Sequence, residues 1–138
     1  MQVQPYLFFD GKCDEALEFY KRMLGAKVNT LMRFKEMPDK SNITPGSEEK
    51  VMHSEVQIGN TTILASDGQC MGKPSFQGFS LTITADSDAE AKRIFHALAE
   101  GGHVQMPLDK TFFASSFGMA ADKFGVGWMV IVPLPMNR

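Results

Sequence analysis

Two apolar stripes at helical spacing recur in this chain with the same internal pattern. Ala16, Phe19, Tyr20 and Met23 form the first, closed by Gly25; Ala91, Ile94, Phe95 and Leu98 form the second, closed by Gly101 and Gly102. Residues at i, i+3, i+4 and i+7 share one face of an α-helix, so each stripe predicts a helix with one face to bury. Each follows one short strand-like run and precedes several more. The order strand, helix, three strands, stated twice, predicts a pseudo-symmetric α+β fold. Its modules span roughly 1–68 and 76–135 of a single domain covering residues 1–138. A helix covers only one side of a sheet, so the other side faces a cavity or a partner.

The local signals fit this order. Val3 to Phe9 reads as a strand made irregular by Pro5, and Asp10-Gly11 as a turn. Asp14 and Glu15 open the first helix, where negative charge suits the dipole, and Lys21 and Arg22 close it. Ala26 to Lys35 reads as a second strand. Met37 to Lys50, with Pro38, Pro45 and Gly46, reads as a long loop of the kind that is mobile or functional. Val51 to Ile58 alternates: Val51, His53, Glu55 and Gln57 on one face, Met52, Ser54, Val56 and Ile58 on the other. Gly59-Asn60 turns the chain into Thr61 to Ser66, and Asp67 to Ser75 reads as the linker. Phe79 to Thr84 follows, then a helix opened by Ser87 and Glu90 at capping-box spacing. Val104 to Phe113, Phe117 to Phe124 and Val126 to Val132 read as the last strands. Matching Ile58-Gly59-Asn60 to Phe124-Gly125-Val126 equates Ile63 with Met129.

Composition limits the function. A formal net charge of -2 offers no surface for nucleic acid or an anionic membrane, and no apolar run is long enough to span a bilayer. Cys13 and Cys70 form neither a disulfide framework nor a CxxC pair and read as reduced thiols, which places the protein in the cytoplasm. Ten methionines and eleven phenylalanines suit either an adaptable core or a deformable ligand cavity.

Several segments carry a resemblance: Asp10-Gly11-Lys12-Cys13 running into Ala16-Leu17-Glu18-Phe19-Tyr20, His53-Ser54-Glu55-Val56-Gln57-Ile58-Gly59, and Gly78-Phe79-Ser80-Leu81. The most specific runs from Thr111-Phe112-Phe113-Ala114 through Phe117-Gly118 and Asp122-Lys123-Phe124-Gly125-Val126 to Trp128-Met129. On these the chain resembles the vicinal oxygen chelate superfamily of glyoxalase I, fosfomycin- and bleomycin-resistance proteins and extradiol dioxygenases. Within it, the chain is similar to the PhnB-like branch, whose domain is also called 3-demethylubiquinone-9 3-methyltransferase-like. The resemblance implies two βαβββ modules whose curved mixed sheets enclose a pocket, often with a divalent metal held by His and Glu from both modules. Here Pro5, Gly78 and Met129 stand at three of those ligand positions. Proline and glycine lack donor side chains and a thioether suits hard divalent ions poorly, so neither a metal ligand set nor another cofactor is expected. No Gly-rich strand-to-helix turn supports a nucleoside methyl donor.

His53 and Glu55, two residues apart on one strand face, are the candidate catalytic pair, a base and its partner; a solvated or dimer-facing strand shows the same alternation. Gln57, Phe112, Phe113, Phe117 and Met129 are the candidate ligand-binding residues. His96 and His103 read as surface residues. Asp122 and Lys123 point to opposite faces if they lie on a strand, which favours a turn-stabilising role over a catalytic pair, and Trp128 is expected under the helix, opposite Met129. Two readings stay open: a metal-free binder of a small, partly apolar molecule, or an isomerase, lyase or transferase using His53 and Glu55, with or without a divalent metal held by that pair. A homodimer is expected from exposed sheet edges, with the Met37 to Lys50 loop reaching over the partner's pocket.

Overall fold

A computed structural model describes residues 1–41, 43–68 and 73–135. The chain divides into two compact units, Met1–Pro74 and Ser75–Arg138. The first holds β1 (Tyr6–Phe8), α1 (Cys13–Leu24), β2 (Lys27–Arg33), β3 (Val51–Ile58) and β4 (Thr61–Ser66). The second holds β5 (Leu81–Thr84), α2 (Asp88–Ala99), β6 (His103–Asp109), β7 (Ala114–Ala121) and β8 (Gly127–Pro133). The sheet orders are β1-β4-β3-β2 and β5-β8-β7-β6, the same topology twice. In each sheet the first strand runs parallel to the last and the other pairings are antiparallel. This is the βαβββ arrangement expected of each module.

Each helix buries the stripe that defined it, except that Met23 at the end of the first is only half-buried. Ala16, Phe19 and Tyr20 of α1 and Ala91, Ile94, Phe95 and Leu98 of α2 are all buried. In the first unit α1 packs over the sheet face that includes the wholly buried Ser54 and Val56. Ser54 is accommodated there because its hydroxyl donates to Ala65 O at 2.6 Å. In the second, α2 lies on β7 and β8, whose buried residues include Ala120, Trp128 and Val130. Trp128 therefore sits on the helix side as expected. Gly118 sets the approach: a Cβ there would stand 2.7 Å from a Phe95 ring carbon and 3.0 Å from Leu108 Cα. The close packing of α2 on the sheet depends on its absence.

Several element boundaries depart from the sequence reading, each for a local reason. β1 is confined to Tyr6–Phe8; Pro5 has no N–H, and its carbonyl instead receives Leu64 N at 3.0 Å. Val51, grouped with the half-exposed His53 by alternation, is fully buried, because a register shift separates the Met32–His53 and Arg33–Val51 pairs. Phe112 and Phe113 lie outside the strands. The Thr111 hydroxyl accepts Phe113 N at 3.3 Å and Ala114 N at 3.1 Å, turning the chain between β6 and β7. The two hairpins also differ. Gly59-Asn60 makes a two-residue turn with Gly59 at φ 59°, whereas Asp122 to Val126 lie between paired Ala121 and Gly127. Equating Ile63 with Met129 therefore fails: Ile63 is buried opposite Val56 on the helix side, and Met129 faces away from the helix. The pairings Tyr6–Leu64 and Thr82–Met129 make Leu64 the counterpart of Met129. Cys70 and the middle of the expected linker lie outside the described residues.

Truncating either stripe at its most buried ring should remove transfer energy and leave a cavity. Tyr20→Ala and Phe95→Ala are each expected to cost about 3–5 kcal/mol in urea unfolding. A loss under about 1 kcal/mol for either would show that its helix does not seal its sheet.

Candidate functional site

The sheet face that α1 leaves open carries the polar candidates. Tyr6, Leu64, Glu55 and Thr30 form one cross-strand row, and His53 stands two residues before Glu55, opposite Met32. The Tyr6 hydroxyl lies 2.9 Å from His53 Nδ1, and His53 Nε2 lies 3.9 Å from Glu55 Oε1. Glu55 near Nε2 favours a proton on that nitrogen, which leaves Nδ1 to accept the Tyr6 O–H. Tyr6 also stacks on Phe8, with centroids 4.7 Å apart. The expected pair is thus a chain of three, Tyr6–His53–Glu55, beside an aromatic surface. Gln57 is exposed; its side chain donates to Gly59 O at 3.2 Å and accepts from Asn29 at 3.4 Å, tying it to the hairpin end.

In the second unit the open face is apolar. Phe113 and Phe117 meet edge to face at 5.2 Å, and Phe112 meets Phe113 at 5.2 Å while remaining 94% exposed. Met129 is half-buried, and its sulfur receives the Thr82 hydroxyl at 3.6 Å. His96 and His103 are exposed, as expected. Where α2 meets β6 and β7 an open groove of about 430 Å³ is lined by Asp88, Lys92, His96, Leu108, Lys110 and Ser115 among others. There the Ser115 and Ser116 hydroxyls, at 2.7 and 2.6 Å, hold the Asp88 carboxyl below the usual carboxylate range, Ser116 contributing most.

Two buried aspartates organise the turns around these faces. Asp67 accepts Gly11 N at 2.6 Å and Cys13 N at 3.0 Å on one oxygen and Val51 N at 2.9 Å on the other. Its carboxylate thereby takes amides at the N-terminus of α1, where an anionic ligand group would otherwise be attracted. Asp122 accepts Phe124 N and Val126 N at 2.9 and 3.1 Å, and Trp128 Nε1 at 2.9 Å. Its role is to hold the turn.

The ligand positions implied by the resemblance do not fit a hard divalent ion. The Pro5 carbonyl is engaged by Leu64 N, Gly78 sits in a left-handed turn at φ 85°, and Met129 offers only a thioether. Among the described residues no three of His, Cys, Asp and Glu converge on a point.

The two modules and their strand order are those of glyoxalase- and bleomycin-resistance-type proteins. A Frankia glyoxylase/bleomycin resistance protein/dioxygenase domain superposes with a TM-score of 0.66 at 12% identity, covering 99% of this chain and 95% of that one. The fosfomycin resistance protein FosX of Mesorhizobium loti gives 0.60 at 10%, covering 97% and 92%. At this identity the likeness establishes the fold. The family described as 3-demethylubiquinone-9 3-methyltransferase matches residues 1–131, and the chain belongs to that family. YjdN of Escherichia coli K12 is 37% identical over 140 residues, covering 96% of this chain and 95% of that protein. PA1353 of Pseudomonas aeruginosa is 41% identical with a TM-score of 0.85, covering 96% and 98%. A PhnB protein of Bacillus cereus is 26% identical with a TM-score of 0.80, covering 96% and 99%.

The first unit also holds a thiol that is not a nucleophile. Burial, reinforced by the Asp67 charge, pushes Cys13 from an ordinary 9.0 up to about 12. The folded thiol keeps its proton where the unfolded one has lost it. Stability is therefore unaffected by this group below about pH 9 and falls as pH rises from there toward about 12. Urea unfolding from neutral to alkaline pH should show a shallower alkaline loss for Cys13→Ala than for the parent. Parallel slopes would contradict the assignment.

Proposed function

We propose that the protein binds a small, partly apolar molecule on the sheet face that α1 leaves open, without using a divalent metal. The observation that carries this reading is the first unit's open face: a stacked Tyr6–Phe8 pair whose tyrosine is hydrogen-bonded to His53, with the Glu55 carboxylate 3.9 Å from the other ring nitrogen. Such sites combine apolar area with a few placed polar atoms that fix orientation. Phe113, Phe117 and Met129 supply adaptable apolar surface in the second unit. The donor chemistry of Pro5, Gly78 and Met129 argues against the superfamily's usual ion. The methyltransferase description gains no support from the β1–α1 turn: it lacks a Gly-rich phosphate loop, and Asp67 already occupies amides there.

The Tyr6–His53–Glu55 chain favours one second reading, an isomerase, lyase or transferase. A substrate proton would pass to the Tyr6 oxygen as the Tyr6 O–H gives its own proton to His53 Nδ1, and Glu55 would stabilise the imidazolium so formed. Elemental analysis and thermal shift with Mg²⁺, Mn²⁺, Ni²⁺ and Zn²⁺ test the metal-free reading. Substoichiometric metal and no stabilisation are expected. One equivalent of divalent ion, lost in His53→Ala, would overturn it.

The same reading includes a homodimer. Phe79 and Phe112 are large apolar side chains left exposed in the second unit, and the sheets end in strand edges. The base of the Met37 to Lys50 loop is tied by Phe34 N to Lys50 O and by Arg33 to both Asp14 and Glu49 O, and in this reading the loop reaches over a partner. Light scattering at micromolar concentration is expected to give twice the chain mass. A monomer mass would refute the dimer.

A further inference from the structure

The register of the second sheet places three methionines side by side. Met106 of β6 is opposite Met119 of β7, Met119 is opposite Met129 of β8, and Met129 is opposite Thr82 of β5. Directly opposed residues project to the same side, with Cα atoms about 4.5–5.5 Å apart in antiparallel pairs. The three thioethers therefore form one continuous row on the face away from α2. Met106 is 44% exposed and the other two are half-buried, so the row is accessible rather than sealed in the core.

The flanking rows suit a cation. The next paired row one way is His103, Ala121 and Gly127, and the other way Asp109, Phe117 and Ile131; a register shift on each side of Met106 puts the β6 members three residues from it. Neither row carries Lys or Arg to repel positive charge, and His103 at the edge strand offers a further donor, whereas Asp109 lines the groove it shares with Asp88, Lys92 and Lys110. The Thr82 hydroxyl donates to Met129 Sδ at 3.6 Å, which shows that sulfur acting as a Lewis base and leaves it a second lone pair. Methionine's three side-chain torsions let the outer sulfurs lean toward the central one.

We propose that Met106, Met119 and Met129 form a binding site for a soft monovalent cation, Cu(I) or its analogue Ag(I). Thioether donors select such ions and reject hard divalent ones. The site therefore differs in donors and in metal class from the divalent centre that Pro5 and Gly78 do not support. It shares Met129 with the proposed small-molecule surface but uses none of Tyr6, His53 and Glu55, and its donors all lie on one sheet of the second unit. Binding requires no redox step.

The test is titration of the full chain with Ag(I), read by native mass spectrometry and by the NMR ε-methyl signals of ¹³C-labelled methionine. Cys70 is replaced by Ser in every sample to remove a competing thiol. One equivalent is expected to bind and to shift the methyls of Met106, Met119 and Met129 more than those of the other methionines. Met119→Leu keeps the apolar volume and removes the central donor, and should weaken binding at least about tenfold with an unchanged melting temperature. Met106→Leu, at the exposed edge, provides a second variant should Met119→Leu disturb the fold. Unchanged affinity in both variants, or shifts confined to other methionines, would overturn the proposal. Failure of Ag(I) binding leaves the binding of small organic molecules, tested separately, untouched.

Discussion

The first unit is built around one buried carboxylate. Asp67 leaves the end of β4 and receives three backbone N–H groups, from the β1–α1 turn, from the first residue of α1 and from the first residue of β3. Burying a charge costs several kcal/mol, and charge-assisted bonds of about 1.5–3 kcal/mol each offset it. The arrangement fixes where α1 starts, and so which face of the sheet it covers. It also fixes the start of β3 two residues before His53. Its charge adds to the burial that raises the Cys13 pKa, and it takes the amides that would have drawn an anion to α1. One interaction thus sets the unit's packing and removes a class of ligand from its helix terminus.

The two units repeat a topology and diverge in chemistry. Each helix seals one sheet face, leaving the other to be defined by residues at alternate positions along the strands. In the first unit that face presents Tyr6, His53 and Glu55; in the second, Phe117, Met119 and Met129. Backbone pairing is indifferent to which of these it carries, so a duplicated frame can hold a polar face and a soft apolar one. Family membership therefore constrains the frame more than the reaction.

How much of this was legible in the sequence depends on the range of the interaction. The helices were, because a stripe such as Ala91, Ile94, Phe95 and Leu98 is a local pattern. The split of His53 and Glu55 from Ser54 and Val56 was also local, and it failed only at Val51, where a bulge interrupts the period. Tyr6 was missed because its partnership with His53 is made across β4 by a parallel pairing that no local pattern reports. The methionine row was hidden for the same reason: composition revealed an excess of methionine, and only the register revealed that three are neighbours. Phe112 and Phe113 were misplaced onto a strand because the Thr111 side chain, an easily overlooked turn former, had already ended the pairing.

The central claim is that function resides on the faces the helices leave open. Chemical-shift mapping of isotopically labelled protein against a library of small, partly apolar molecules tests it most directly. The account predicts perturbations led by Tyr6, His53 and Glu55, with Phe117 and Met129 responding in the second unit. Perturbations confined to the groove between α2 and the β6 and β7 strands, beside Asp88, Lys92 and His96, with the open-face residues unmoved, would contradict it.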